Sequence, residues 1–467
     1  MKKLTIVILC CLSFSFCSLF QRKISSYPTG LIFPLQKKLE FVCPGEIIER
    51  ILKEGEQVYF STSKGTLYCV DMQSLEALWT FHAKSTLVSP PFMGDRQIFV
   101  LDDNNTIYCL DKEGKLIWER EIDEKITSQI AASEKHVYFG SEKGAFLALD
   151  ASTGEELWRF RAEGAILSNP VVSGAMVIFG CEDQYLYLLS QFGKLKNKFK
   201  ANGAIRTSIQ VDGKFCYFAS EGDYFYCFDI INGKKKWEVK AGGSAKTPPL
   251  VDQQKVYFLS WNSVLYCLNK KNGTILWWKI VPSRSLYRLE LVEDKIVVSS
   301  LSSIVVCFDK KTGEKRGSFD ATLQVKSNPL WWPPYLLVNV YDREQDSGHL
   351  IYLEKEVKVS IVPSKKSPQP VNEEIIFTAS STGFFMPRYE FSLKEGETLK
   401  IIQESFERNT WVWYPEKPGV YIIGVKAIDD KESAQTEVSF TIEAKKTEEE
   451  NKEKENSIKT IKKESES

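Results

Sequence analysis

A chain of 467 residues is longer than one ordinary domain, so two or more folding units are expected. Lys plus Arg and Asp plus Glu both total 61, and this zero formal charge argues against a general nucleic-acid binder. With 43% hydrophobic and 12% aromatic residues, the chain has enough apolar mass for a packed core.

The chain opens "MKKLTIVILCCLSFSFCSLF". Lys2 and Lys3 precede an uncharged apolar run, Leu4 to Phe16, too short to span a bilayer and suited to an export leader. A signal peptide over residues 1–17 is expected, cut before Ser18, with the small residues Ser15 and Cys17 at the −3 and −1 positions. Alternatively, Cys17 is the lipidated first residue of the mature chain. Either way the protein is exported to the periplasm or envelope, and any membrane attachment runs through a lipid anchor.

Residues 148–158 then read "ALDASTGEELW", and the phrase recurs along the chain. With its last residue in register, the slot holds Leu39, Trp79, Trp118, Trp158, Asn197, Trp237, Trp277 and Gly317, always 39 or 40 residues apart. An acidic slot precedes it: Asp71, Asp111, Asp150, Ser190, Asp229, Asn269 and Asp309. A fixed period of this length marks stacked or radially arranged units. Each unit reads as four short β-strands; in 162–200 these are "SNPVVSG", "MVIFG", "YLYLLS" and "KLKNKFK". Four antiparallel strands per unit is the arithmetic of a propeller blade. Seven whole blades fit residues 43–320. An eighth has only three strands, and "KKLEFV" (37–42) is left over to complete it. The expected class is all-β: an eight-bladed β-propeller over 36–354, closed by an N-terminal strand so that no sheet edge stays open.

Five cysteines, Cys69, Cys109, Cys227, Cys267 and Cys307, fall in one slot of the phrase, which suits a small buried side chain better than a disulfide. No GxSxG, HExxH or phosphate loop occurs, and His82, His136 and His349 are scattered. "DDNN" (102–105) reads as a solvated turn. No catalytic residue, metal ligand or cofactor is expected.

The pattern Ala-x-Asp-x-x-Thr-Gly-x-x-x-Trp, carried in full by Ala148, Asp150, Thr153, Gly154 and Trp158, resembles the tryptophan-docking repeat of pyrroloquinoline-quinone-type (PQQ-like) β-propellers. The resemblance covers about 36–354. It implies that Trp79, Trp118, Trp158, Trp237 and Trp277 pack between blades against a neighbouring turn, with weaker docking at Asn197 and Gly317. The quinone dehydrogenases of this family carry a vicinal disulfide, whereas the only adjacent cysteines here, Cys10 and Cys11, lie in the leader. In blade number, repeat and leader the chain is more similar to the scaffold lipoproteins that assist assembly of outer-membrane β-barrels.

After Glu354 the period breaks. Seven strand-like segments over 356–443 suggest a small β-sandwich, and "WYPEKPGVYIIGVKAID" resembles bacterial immunoglobulin-like modules, including the triple-tyrosine type. Trp411, Trp413 and Tyr414 there offer a binding patch, but alternate members suit filling of the sandwich core better. The tail, 444–467, is rich in Lys and Glu, cannot bury a core, and is read as disordered.

The chain is therefore read as a monomeric, non-catalytic scaffold that binds envelope proteins, with a ligand-binding propeller as the alternative. Nine residues after each Trp slot, at the start of the innermost strand, stand Ile48, Val88, Thr127, Leu167, Arg206, Lys246, Leu286 and Lys326. The last three cations, with Arg284 and Arg288, predict a basic half-mouth that attracts an acidic loop or ligand.

Overall fold

A computed structural model describes residues 31, 33–384, 387–429 and 432–445. The leader with Cys17 and the tail beyond Lys445 lie outside them. Among the described residues there are strands and no helices, and the chain divides into two compact units, Gly30–Glu356 and the part from Val357 onward.

The first unit holds eight antiparallel sheets in chain order. Sheet 1 runs Leu52–Glu54, Gln57–Ser61, Thr66–Asp71 and Ala77–His82. Sheets 2 to 7 repeat that up-and-down order. In sheet 8 the strand Ser347–Lys355 pairs on one side with Tyr335–Asp342 and on the other with Leu35–Pro44, so Leu39 lies opposite Tyr352 and Phe41 opposite Leu350. Eight apolar clusters lie between successive sheets. One joins sheets 1 and 2 through Leu67, Trp79 and Tyr108, and another joins sheets 8 and 1 through Tyr352, Ile51 and Phe60. The unit is a β-propeller whose core is distributed over its blade boundaries.

The repeating phrase has a physical cause. Its acidic residue opens the turn before the outermost strand by accepting backbone N–H groups. Asp150 accepts from Ser152 (2.8 Å) and Thr153 (3.1 Å), and Asp229 from Ile231 (3.1 Å) and Asn232 (2.9 Å). These bonds favour the charged carboxylate and hold Asp229 down to about 2. The phrase glycine then adopts positive φ, as at Gly154 (φ 74°) and Gly193 (φ 77°). That bare turn receives the tryptophan of the preceding blade: a Cβ on Gly193 would stand 2.7 Å from the Trp158 ring. Four of the five indole N–H groups find a turn carbonyl: Trp79 donates to Lys112 (3.0 Å), Trp118 to Ala151 (2.9 Å), Trp158 to Gln191 (2.9 Å) and Trp237 to Lys270 (3.0 Å). Trp277 takes the same seat on Gly313, but its N–H is left without an acceptor.

The cysteine slot follows from this seat. Cys69 lies between Tyr59 on one neighbouring strand and Trp79 on the other, and Cys227 lies likewise between Tyr217 and Trp237. The two rings nearly meet over the small side chain, with centroids 5.9 Å apart in both rows. A larger residue would separate them. All eight described cysteines are free and buried, and burial pushes the Cys227 and Cys267 thiols up to about 12. Such protonated thiols are poor nucleophiles.

The two departures from the phrase are handled differently. Asn197 reaches the Gly233 turn with its own amide. At Gly317 the ring comes from elsewhere: Phe33, just before the N-terminal strand, lies where a side chain at 317 would be. The boundary between sheets 7 and 8 thus keeps an aromatic plug despite the lost tryptophan, and Leu31 and Leu35 extend it.

In the second unit, two sheets share one core. The sheet of Lys358–Pro363, Ile375–Thr382 and Thr410–Trp413 contributes Ile375, Phe377, Trp411 and Trp413; the other contributes Phe391, Ile423 and Phe440. Trp411 and Trp413 are buried there, and Tyr414 is exposed.

Two measurements check this packing. Trp158→Ala is expected to lower unfolding stability by about 3 kcal/mol, as a large aromatic truncation does, and Gly193→Ala to destabilise through both φ and ring overlap; urea titration reads both, and a neutral result at either position contradicts the seat. Deleting residues 36–42 is expected to lower the melting temperature far more than Phe33→Ala, because it removes a whole strand from sheet 8. A deletion that melts with the intact chain contradicts that role.

Candidate functional site

The innermost strands surround the axis, and those of sheets 2 to 6 touch one another in succession. The cations singled out from the sequence stand at the entries to these strands, and each is already engaged. Arg206 is paired with Glu182, one bond being 2.8 Å; Lys246 with Glu221 at 2.5 Å; and Lys326 with Glu46 at 3.0 Å. Arg284 lies over the Trp261 ring at 5.0 Å, and Arg288 donates to Gln210 at 3.2 Å. The three ion pairs bridge neighbouring blades, so at three of the eight boundaries the mouth carries charge pairs rather than free cations.

The acids are the half of this arrangement that counting cations misses. Glu182 and Glu221 occupy one slot of the turn between the second and third strands, "CEDQ" and "SEGD", 24 and 25 residues before their partners. Aligning the turns as well as the tryptophans would have exposed them.

Deeper along the axis lies a second charged group. Glu49 accepts from the Gln129 side-chain amide (2.7 Å), linking sheets 1 and 3, and the Arg288–Gln210 bond links sheets 7 and 5. Side chains thus reach across the channel between non-adjacent blades. A cavity of about 350 Å³ opens beside them, lined by Arg50, Lys53, Arg288, Glu290 and Asn328 among aliphatic neighbours. Burial depresses Arg50, and the like charge of Arg288 adds to this, while Glu290 opposes it. Burial raises Glu290, against the Trp331 backbone N–H and the two guanidiniums. Two arginines facing one carboxylate leave the cavity with positive charge to offer.

Other residue types with catalytic reputations are occupied. Asp102 is buried and accepts from the N–H groups of Asn104 (3.0 Å) and Thr106 (2.8 Å) and from the Tyr108 hydroxyl (2.8 Å). His82 contacts Thr66 at 3.1 Å, and His349 bridges Ser347 and Glu40. His136 is the exception: it stands at a strand start beside the Tyr138 ring, and its buried Nδ1 has no hydrogen-bond partner. No group of three His, Cys, Asp or Glu side chains converges among the described residues.

Comparison with known proteins places this architecture. The family described as outer membrane protein assembly factor BamB matches residues 45–121, 103–196 and 189–331. BamB of Yersinia pestis is 31% identical over 106 residues, 20% of this chain and 27% of that protein. The quinoprotein alcohol dehydrogenase PedE of Pseudomonas putida is 31% identical over 123 residues, 26% of this chain and 20% of that protein. The chain thus spans about a quarter of the length of these curated relatives. The crystal structure of BamB from Moraxella catarrhalis shares the fold, with a TM-score of 0.60 at 14% identity over 69% of this chain and all of that one. With matches running through residues 45–331, more than half its length, the chain belongs to the PQQ-like repeat family described as outer membrane protein assembly factor BamB.

Proposed function

We propose that this protein is an exported, non-catalytic interaction scaffold of the cell envelope that serves outer-membrane protein assembly. The observation that carries this reading is the run of family matches through seven consecutive repeats. In this reading the eight sheets are eight blades, closed into a ring by Leu35–Pro44, and the second unit is an immunoglobulin-like sandwich. The leader delivers the chain to the periplasm, where Cys17 either precedes the cut or takes a lipid. The non-catalytic reading is supported by the seating of Asp102, His82 and His349 on backbone and structural partners. It is further supported by the place of the one adjacent cysteine pair, Cys10 and Cys11, in the leader.

The mouth suggests how a protein partner docks. Arg206, Lys246 and Lys326 each hold a glutamate across a blade boundary. An acidic loop of a partner exchanges with those glutamates at little net electrostatic cost, gaining orientation rather than large affinity. Arg284 and Arg288 extend the same side. The axial cavity favours a second reading, a small anionic ligand held by Arg50 and Arg288.

Two experiments separate these readings. The protein purified from envelope extract is expected to bring down an outer-membrane assembly component, and Arg206→Glu with Lys246→Glu is expected to weaken that association at low salt without moving the melting temperature much. Association that survives the double reversal places the partner elsewhere. Addition of pyrroloquinoline quinone with calcium is expected to leave no stoichiometric quinone after gel filtration and no dehydrogenase turnover. Retained quinone contradicts the non-catalytic reading.

A further inference from the structure

The outer rims of the eight sheets are not alike. In the first unit the four most exposed large apolar side chains are Phe192 (73%), Ile280 (70%), Ile231 (67%) and Trp278 (56%), and they sit on three consecutive sheets, 4, 5 and 6. Phe192 and Ile231 occupy the turns just before the outermost strands Leu195–Lys200 and Lys234–Lys240. Trp278 and Ile280 lie on one face of the outermost strand Ile275–Ile280, whose outer edge pairs with no strand among the described residues.

The same three rims are strongly basic. Residues 191–200, 230–240 and 270–280 hold eleven lysines and one acid, Glu238, which pairs with Lys235 at 2.9 Å. The matching stretches of sheets 2 and 3, residues 112–121 and 151–161, balance their charges, three against three and two against two. Lys196, Lys198 and Lys200 alternate along one strand, are exposed, and have no carboxylate partner among the described residues. Lys198 leans over the Tyr185 ring at 4.4 Å.

Lysines on an edge strand commonly serve only to repel strand-to-strand aggregation. That purpose does not account for this rim, because a protective edge does not also project Phe, Ile and Trp into water. Nor does it explain sheet 6, where positions 276, 278 and 280 are Leu, Trp and Ile while sheet 4 has three lysines in the same register. Apolar tips among unpaired lysines, with an indole that carries a polar edge, fit the boundary between anionic headgroups and acyl chains.

We propose that the outer rim of sheets 4–6 is a docking surface for an anionic lipid membrane. Trp278 and Ile280 enter the headgroup–acyl boundary, and Phe192 and Ile231 add apolar contact. The lysines bind the headgroups. The inference rests on the rim alone and stands whether or not the channel mouth binds a protein.

The test uses the full chain with vesicles of phosphatidylglycerol brominated on the acyl chains, which quench tryptophan only on contact. Residues 1–30 contain no tryptophan, so a leader buried in the bilayer gives no signal. Quenching is expected with these vesicles, with little from brominated phosphatidylcholine, and most of it lost in Trp278→Phe. The triple variant Lys196→Glu, Lys198→Glu, Lys200→Glu is expected to weaken vesicle binding on the order of a hundredfold, since each lysine near an anionic leaflet contributes roughly a factor of five. Unchanged melting temperatures would show that both variants fold. Absent quenching, or quenching that persists in Trp278→Phe, overturns the proposal. So does binding to poly-glutamate through the same lysines without binding to vesicles, which would assign the rim to an acidic protein.

Discussion

The seating of an indole on a bare glycine turn is the contact on which the first unit depends. In five of the eight sheets a tryptophan near the middle of the outermost strand would face water if its sheet stood alone. It is covered only because the next blade presents a turn with no side chain, and that turn has no side chain because positive φ and ring contact both demand glycine. The aspartate that opens the turn, the cysteine that lets two rings approach and the carbonyl that accepts the indole N–H are consequences of that seat. One phrase of eleven residues therefore encodes both a strand and its attachment to the neighbour. Each boundary supports the next, which suits a fold whose stability is a sum of nearest-neighbour interfaces.

Much of this was legible because it repeats. A slot recurring every 39 or 40 residues and filled by tryptophan in five of eight cases, with an acidic residue usually before it and short apolar strands between, gives the all-β propeller directly. Contacts without a period were not legible. Phe33 replaces the tryptophan missing at Gly317, but the two lie far apart in sequence and Phe33 belongs to no repeat. The mouth was half legible: the cations stood out at a fixed offset, whereas Glu46, Glu182 and Glu221 looked like ordinary turn residues until folding brought them across blade boundaries. Of the axial group of Glu49, Arg50, Arg288 and Glu290, only Arg288 stood out in the sequence, since the group is made by strands converging from opposite sides of the ring.

A ring fixed by its boundaries leaves its remaining surfaces free to vary. The mouth carries paired charges, the axis carries Arg50 and Arg288 with Glu49 and the half-buried Glu290, and the rim of sheets 4–6 carries lysines and exposed apolar tips. None of these features is needed to seat an indole on a glycine. Their restriction to part of the ring breaks the pseudo-symmetry of the repeat and gives the molecule distinct sides, as a protein that holds partners in a defined orientation requires.

The proposed role in outer-membrane protein assembly is tested most directly in cells lacking the gene, by measuring the amount of folded β-barrel protein in the outer membrane. The account predicts a fall that the intact gene restores and that a gene carrying Trp158→Ala together with Trp237→Ala restores poorly. Unchanged barrel levels in the absence of the protein would contradict it.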